Sequence, residues 1–395
     1  MSTESSPRYR YKIHDKLYDL TDFVKVHPGG TEMFNYLKTD SNITPMIYSY
    51  HKNPKNILEI LEILPKYEVS LTDYTLHETL YHTLHESNYT YDKYCELKEL
   101  VYHNMHEKKI PVYWSNKEIA YNAFMVCIYL GLWGYCIWNV SYLSIILLTF
   151  YIVGFNALVF HETAHYTGFK NQKINKMISS FIVYPFMSVD EWKERHNYLH
   201  HSFTNTEYDK DFDNSKFILR HSNKHVHHIH HRFQYLYASI LFILNGYNTA
   251  ILFIKIKDYV SLLGVIFLYY WFGMINALVL FGSIGLITTF ISNLSHIQHE
   301  CIQINTENKN DFLYNQVSSS MNYRTDDIIT RLISFGLDIQ IEHHLFPTIP
   351  HSSLRKIQPI VREYCHKNNI PYIEKPGIFS TIYSYISYLY KMGNR

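Results

Sequence analysis

"IAYNAFMVCIYLGLWGYCIWNVSYLSIILLTFYIVGFNALVFHETAH" (residues 119–165) opens with 42 consecutive residues, Ile119 to Phe160, that include no Asp, Glu, Lys or Arg. A helix needs about 20 predominantly apolar residues to cross a bilayer. The run is therefore long enough for two, with "WNVSY" near its middle as a short turn, and it reads as a membrane hairpin that ends on a pair of histidines. From Tyr259 to His299 another 41 uncharged residues repeat the pattern, with a turn expected near Asn276. Two hairpins make four spans. The segments 176–189, short and containing Pro185, and 233–254, interrupted by Asn245, Gly246 and Asn248, are expected to lie at the interface or to re-enter. Both hairpins then enter and leave from one side. Nearly all Lys and Arg lie in the first 118 residues, in 161–258 and after 300, and the positive-inside rule puts those regions in the cytosol.

The totals agree with a membrane protein. Of 395 residues only 18% are charged, which is low for a soluble chain. The net charge of +1, with no long basic run, argues against nucleic acid as a partner. The surplus lies in 37 Tyr, 23 Phe and 25 His; imidazole binds borderline metals and is the axial ligand of many haems. Cys95, Cys127, Cys136, Cys301 and Cys365 form no CxxC pair, so neither a disulfide framework nor a structural zinc site is expected, and a reducing environment fits best. The polar opening "MSTESSPRYRYK" has no apolar core, so no cleaved secretory signal is expected there.

Ahead of the first hairpin, "YKIHDKLYDLTDFVKVHPGG" shows a short alternating strand, a Thr/Asp helix start and a Pro-Gly-Gly turn, the marks of a small soluble unit. The expected division is 1–75 for this unit, 76–117 for a polar helical linker and 118–395 for the membrane domain. His27 opens "HPGG" and His51 follows twenty-four residues later. A haem held by two opposed imidazoles needs two such histidines on facing elements, and glycine beside one of them lets backbone approach the porphyrin. With that spacing and the flanking "YDLTDF", the stretch from Tyr9 to Ser70 resembles cytochrome b5. It departs from that family between the ligands, where it reads "KTDSNIT".

The membrane-edge histidines come in groups. His161 and His165 of "HETAH" lie at i and i+4 and share a helical face. "HNYLHH" supplies His196 and His200 on one face and His201 about 100° round the helix. "QIEHHLFP" supplies His343 and His344 with Gln340 three positions ahead, and "NLSHIQH" offers His296 and, more weakly, His299. Eight imidazoles at the mouths of two hairpins are too many for one ion, so two metals are the economical reading; for cleaving O2, redox-active iron fits better than zinc.

H-x3-H, H-x3-H-H and Q-x2-H-H, in this order between two hydrophobic hairpins and behind a cytochrome b5-like stretch, resemble the front-end acyl-lipid and acyl-CoA desaturases. The similarity spans essentially the whole chain, and "GLDIQIEHHLFPTIP" is its most specific segment. The resemblance implies a multi-domain chain: a small α+β cytochrome b5-like haem domain, then an α-helical integral membrane desaturase domain of four transmembrane helices with a cytosolic His-rich cap. It implies two non-haem irons held by His161, His165, His196, His200, His201, His343 and His344, with His296 as a further ligand, and haem b between His27 and His51. It also implies a fatty acyl substrate on CoA or phospholipid, with a sphingoid base possible, O2 as oxidant, NADH-cytochrome b5 reductase as electron donor, and the endoplasmic reticulum bilayer as location. Glu162 and Ala164 stand where that family's first box has Asp and Gly, and Glu162 is expected to keep the Asp's role as acceptor for a ligand N–H. Gln340, a poor iron ligand, is expected to support the centre or position substrate.

Two readings compete with desaturation. A di-metal lipid hydroxylase shares the histidine centre, and a membrane-tethered haem electron carrier would bind metal without catalysis. Asp209, Asp211 and Asp213 in "TEYDKDFD" either support the histidines or belong to a solvated loop. The densest histidine run, His221, His225, His227, His228, His230 and His231, keeps no single helical face and is expected to be solvated and to bind no iron.

Overall fold

The computed structural model describes residues 9–68, 89–206, 208–211, 217–223, 225–302, 310–323, 326–334 and 336–394. Strands β1 (Arg10–Ile13) and β2 (Lys16–Asp19) pair antiparallel as a hairpin, Tyr11 opposite Tyr18, and β3 (Lys66–Glu68) adds to the far edge of β2. His14 takes the left-handed conformation, φ 51°, that the two-residue turn requires. Helices α1 (Thr44–Tyr50) and α2 (Pro54–Glu62) follow, each with a proline in its first turn, Pro45 and Pro54, where the missing N–H costs nothing. Its core of Tyr11, Ile13, Phe34, Ile43, Met46, Ile47 and Leu61 is closed by Tyr198, Leu199 and Phe203 of the second histidine segment. The unit is therefore packed onto the rest of the chain, not tethered beside it.

The expected boundary at 75/76 lies outside the described residues. From residue 89 onward the anticipated linker is built round α3 (Asp92–Glu107), and its face of Tyr94, Leu97, Val101 and Met105 is buried against Phe312, Leu313, Val317, Ile341, Leu345 and Phe346. Lys98, also buried on α3, donates from Nζ to the carbonyls of Tyr48 (2.5 Å) and His51 (2.6 Å), placing a hydrogen-bond donor at the end of α1 where the helix carbonyls lack partners. Tyr94 on the same helix hydrogen-bonds the carbonyl of Leu345.

Helix α4 (Asn116–Trp138) starts on a capping box, Ser115 with Glu118, and α5 (Tyr142–Ala164) on a second, Ser141 with Ser144, which is why the chain turns at "WNVSY". After α6 (Gln172–Val183), Phe186 packs on Trp133 and Phe281, which sets the Pro185 segment beside the long apolar helices. The later chain forms α7 (Gln234–Ile256), α8 (Tyr259–Phe272), α9 (Met274–Leu294), α10 (Gln340–Leu345), α11 (His351–Lys367) and α12 (Ile378–Gly393).

Among the described residues, four helical segments are long and apolar enough to cross a membrane: 116–138, 142–164, 229–256 and 274–294. The count matches the expectation, but the third member does not. Helix α8, with 14 residues, reaches only about 21 Å against a hydrocarbon core of about 30 Å, and its turn to α9 falls at Gly273 (φ +77°) rather than Asn276. Residues 233–254, expected at the interface, instead form most of the third long helix. Asn245 and Gly246 read as interruptions because they are polar or small. In the structure they make a helix crossing: a Cβ on Gly246 would sit 1.9 Å from the Phe281 carbonyl oxygen, and Asn245 Nδ2 donates to Thr289 Oγ1 at 2.9 Å. Close approach of small residues replaces the hydrophobic drive that lipid cannot supply.

Replacing Gly246 with Leu is expected to destabilise the protein by roughly 1–3 kcal/mol or more through overpacking at this crossing. Gly131, where an added Cβ meets nothing within 4 Å, supplies the Gly131→Ala control. Thermal unfolding of detergent-solubilised protein checks this: the first variant should melt well below the parent, the second beside it.

Candidate metal centre

The histidines converge where α5 and α9 end. Imidazole nitrogens of His161, His165, His196 and His343 lie within 4.8 Å of one another, and so do those of His200, His296 and His344. His201 sits between the groups, its ring 4.7 Å from those of His165 and His343 and 4.5 Å from that of His344. All eight expected ligands thus meet in one place.

His196 and His200 stay side by side as their spacing implies, rings 5.0 Å apart, and with Asp211 they form a further group whose ligand atoms lie within 4.8 Å of one another. Residues 194–200 form a wide π-helical turn. Such a turn aligns i with i+5, and His196 Nε2 accordingly lies 3.3 Å from His201 Nε2. His299 stays out of both groups, half-buried with its ring 6.4 Å from that of Tyr388.

Several of the rings are held by their other nitrogen, while Nδ1 of His161 and of His201 is buried without a partner. His200 Nδ1 meets Asp209 Oδ2 at 2.9 Å and His196 Nδ1 meets Asp211 Oδ2 at 2.7 Å. Asp209 and Asp211 therefore support the histidines; Asp213 lies outside the described residues. His296 Nδ1 donates to the Ser319 carbonyl (3.1 Å), and His344 Nδ1 to Gln316 Oε1 (3.0 Å), which also accepts from Thr204 Oγ1 (3.1 Å). Nothing in the spacing of the boxes pointed to Gln316 or Thr204, which lie outside them. Gln340 Nε2 is 3.1 Å from His296 Nε2, inside the second group.

Glu162 departs from expectation. Its carboxylate accepts from the Trp114 indole (2.5 Å) and from the backbone N–H of His351 (2.6 Å), and it lies 3.1 Å from His351 Nδ1, so it orients none of the eight expected ligands. The ring of His351 stands 5.5 Å from that of His161 and 5.4 Å from that of His343, with its Nε2 buried and unpartnered. Sequence reading passed over this ninth imidazole because it stands alone, outside any paired motif.

The donor set fits metal. Nε2 of His165, His343 and His344 is buried without a hydrogen-bond partner, a costly state for a polar atom unless something binds it. Burial, reinforced by neighbouring imidazoles, pushes His165, His201, His296, His343 and His344 well below the ordinary imidazole range, so these rings are neutral, the form that binds metal. His200 goes the other way: burial would lower it, but the Asp209 carboxylate outweighs that.

A second constellation lies in the N-terminal unit. The rings of His27 and His51 stand 6.1 Å apart, close to the separation of two imidazoles bound about 2 Å either side of one metal. His27 Nδ1 donates to the Gly30 carbonyl (2.9 Å) and His51 Nδ1 to the Ile47 carbonyl (3.1 Å), which leaves Nε2 of each for a metal. Burial is the main cause that pushes His51 down to about 4 and keeps it neutral. A Cβ on Gly29 would stand 2.8 Å from His27 Cε1, so this glycine makes room for the ligand ring itself.

The dense run is not solvated throughout. His231 and His221 are buried; Nε2 of His230 and of His231 bonds the Phe217 carbonyl (2.7 and 3.0 Å), and His227 Nε2 bonds that of Gly393 (2.8 Å). These histidines fasten α12 and the stretch at 217–223, and among the described residues none joins a metal group.

A family profile described as "Fatty acid desaturase" matches residues 137–376. The chain is 25% identical to Acyl-lipid (8-3)-desaturase B of Dictyostelium discoideum, covering 97% of this chain and 90% of that protein. Delta(5) fatty acid desaturase A of the same organism gives 25%, with 97% and 90% covered. A Delta(6)-fatty-acid desaturase of Caenorhabditis elegans is 24% identical, with 92% of each chain covered. No solved structure matches.

Asp209→Asn and Asp211→Asn keep shape but remove the charge that orients His200 and His196, and each is expected to weaken metal retention roughly 10- to 100-fold. Competition with a chelator, read by elemental analysis, checks this. Replacing His225 and His230 with Ala should leave retention at the parent level.

Proposed function

The chain belongs to the fatty acid desaturase family, and from that premise we propose that it inserts a double bond into a fatty acyl chain, front-end fashion, at a pair of iron ions held by the two imidazole groups. The observation that carries this reading is the set of buried, unpartnered Nε2 atoms of His165, His343 and His344 within the two imidazole groups. Iron bound there supplies the O2 activation and redox chemistry that no side chain offers against an unactivated methylene.

The chain's own residues do the rest. His161, His165, His196 and His343 hold one ion, His200, His296 and His344 the other, and His201 stands between them. Asp209, Asp211, Gln316 and the Ser319 carbonyl fix the rings through their second nitrogens. The apolar helices that end at the centre exclude water and give an acyl chain a place to lie.

His27 and His51 hold haem b in the N-terminal unit, which acts as a fused cytochrome b5-like electron carrier. A haem held there by both imidazoles would supply one-electron transfer rather than O2 binding. The donor is NADH-cytochrome b5 reductase, and the acyl group rides on CoA or phospholipid. The protein sits in the endoplasmic reticulum bilayer, with the haem unit and the histidine centre facing the cytosol.

Yeast expressing the chain and fed a panel of polyunsaturated acids is expected to accumulate products with one further double bond on the carboxyl side of an existing one, read by mass analysis of total lipid. His343→Ala with His344→Ala should abolish them; unchanged product would contradict a catalytic centre, and a hydroxylated chain without a new double bond would contradict desaturation. His27→Ala or His51→Ala should remove the haem absorption band while leaving non-haem iron in place.

A further inference from the structure

Helix α1 ends on two adjacent residues that face different ways. His51 is half of the haem slot. Tyr50, one peptide before it, reaches out of the N-terminal unit: its hydroxyl lies 3.3 Å from Nδ1 of His165 and 3.3 Å from the Asn197 carbonyl oxygen. Its ring stands 6.4 Å from that of His165 at an interplanar angle of 24°. One arrangement of hydrogens satisfies every atom: His165 Nδ1–H donates to the Tyr50 oxygen, and the Tyr50 O–H donates to the Asn197 carbonyl. That leaves the lone pair on His165 Nε2, the atom that is buried and unpartnered.

This contact is part of a fixed docking. Tyr198 donates to the Asn42 carbonyl at 3.1 Å, the hydroxyls of Tyr36 and Tyr166 lie 3.3 Å apart, and Lys38–Glu194 (2.8 Å) and Lys176–Glu32 (2.7 Å) pair across the interface. Lys98 holds the His51 carbonyl from a third side. The N-terminal unit is therefore held with a haem-slot residue's chain neighbour against a ligand of the first imidazole group.

We propose that Tyr50 is the electron-transfer contact between the two cofactor sites, linking the haem ligand His51 to the metal ligand His165. This rests on the reading above that His27 and His51 hold haem and that His165 holds iron. The step moves one electron: the haem iron is oxidised from ferrous to ferric, and the iron at His165 is reduced from ferric to ferrous. No bond breaks, and Tyr50 keeps its proton and is not itself oxidised. Electronic coupling decays far faster across a gap than along bonds and hydrogen bonds, and this route needs one peptide and one hydrogen bond. Tyr50 also supplies the outer partner that sets the His165 tautomer, a role filled for His196 and His200 by the carboxylates beside them.

The test uses full-length protein loaded with haem and iron, both ferric, kept without O2. A photoexcited flavin reduces the haem in a flash, and decay of the ferrous haem band is followed, with chelated, iron-free protein as the blank. Tyr50→Phe keeps the ring and removes the link; the iron-dependent decay is expected to slow about tenfold, with the haem spectrum and iron content unchanged. Tyr36→Phe, which deletes a comparable interface hydroxyl, should decay at the parent rate. If Tyr50→Phe and Tyr50→Leu both decay at the parent rate, or if Tyr36→Phe slows equally, the proposal is wrong while the haem reading stands. If the parent chain shows no haem band, the haem reading fails and the proposal falls with it.

Discussion

Burying eight imidazoles against one another is the constraint on which the rest of this structure depends. Charged, they would repel and lose hydration, so burial keeps most of them neutral. Neutral, Nε2 of His165, of His343 and of His344 would still be a polar atom short of a hydrogen bond. A bound metal would resolve both problems at once. The surrounding chain is arranged to the same end: membrane helices deliver the histidines to one level, and carboxylates, a glutamine and a backbone carbonyl hold the outward nitrogens.

That arrangement also explains which parts of the sequence were readable. The paired histidines announced themselves because spacing on a helix is a local signal, and all eight meet in the fold. Local spacing assumed α-helical geometry, however, and the wide turn at 194–200 also brings His201 Nε2 to His196 Nε2, a contact that α-helical spacing did not suggest. Glu162, His351, Gln316 and Thr204 belong to the same site, but their partners are distant in sequence, up to 189 positions for Glu162 and His351. No pattern within a window could have joined them.

The membrane helices teach the same lesson. Uncharged length identified α4, α5 and α9, where composition alone decides. It misjudged 233–254 because Asn245 and Gly246 look like breaks to a hydropathy reading, whereas a glycine facing a glycine at a helix crossing is how membrane helices approach one another. The dense histidine run misled in the opposite sense: its imidazoles bond backbone carbonyls and act as fasteners for the last helix. The N-terminal unit was legible as a small sheet-and-helix body with a histidine pair. Its intimate packing on the second histidine segment was not, because Tyr198 and Phe203 join its core from more than a hundred residues away.

The most direct measurement is the metal content of the purified full chain, with haem iron and non-haem iron counted separately. The account predicts about two non-haem irons per chain, matching the two imidazole groups, beside one haem. Protein that is folded and haem-loaded, yet holds one non-haem metal or none after reconstitution with ferrous iron, would contradict it.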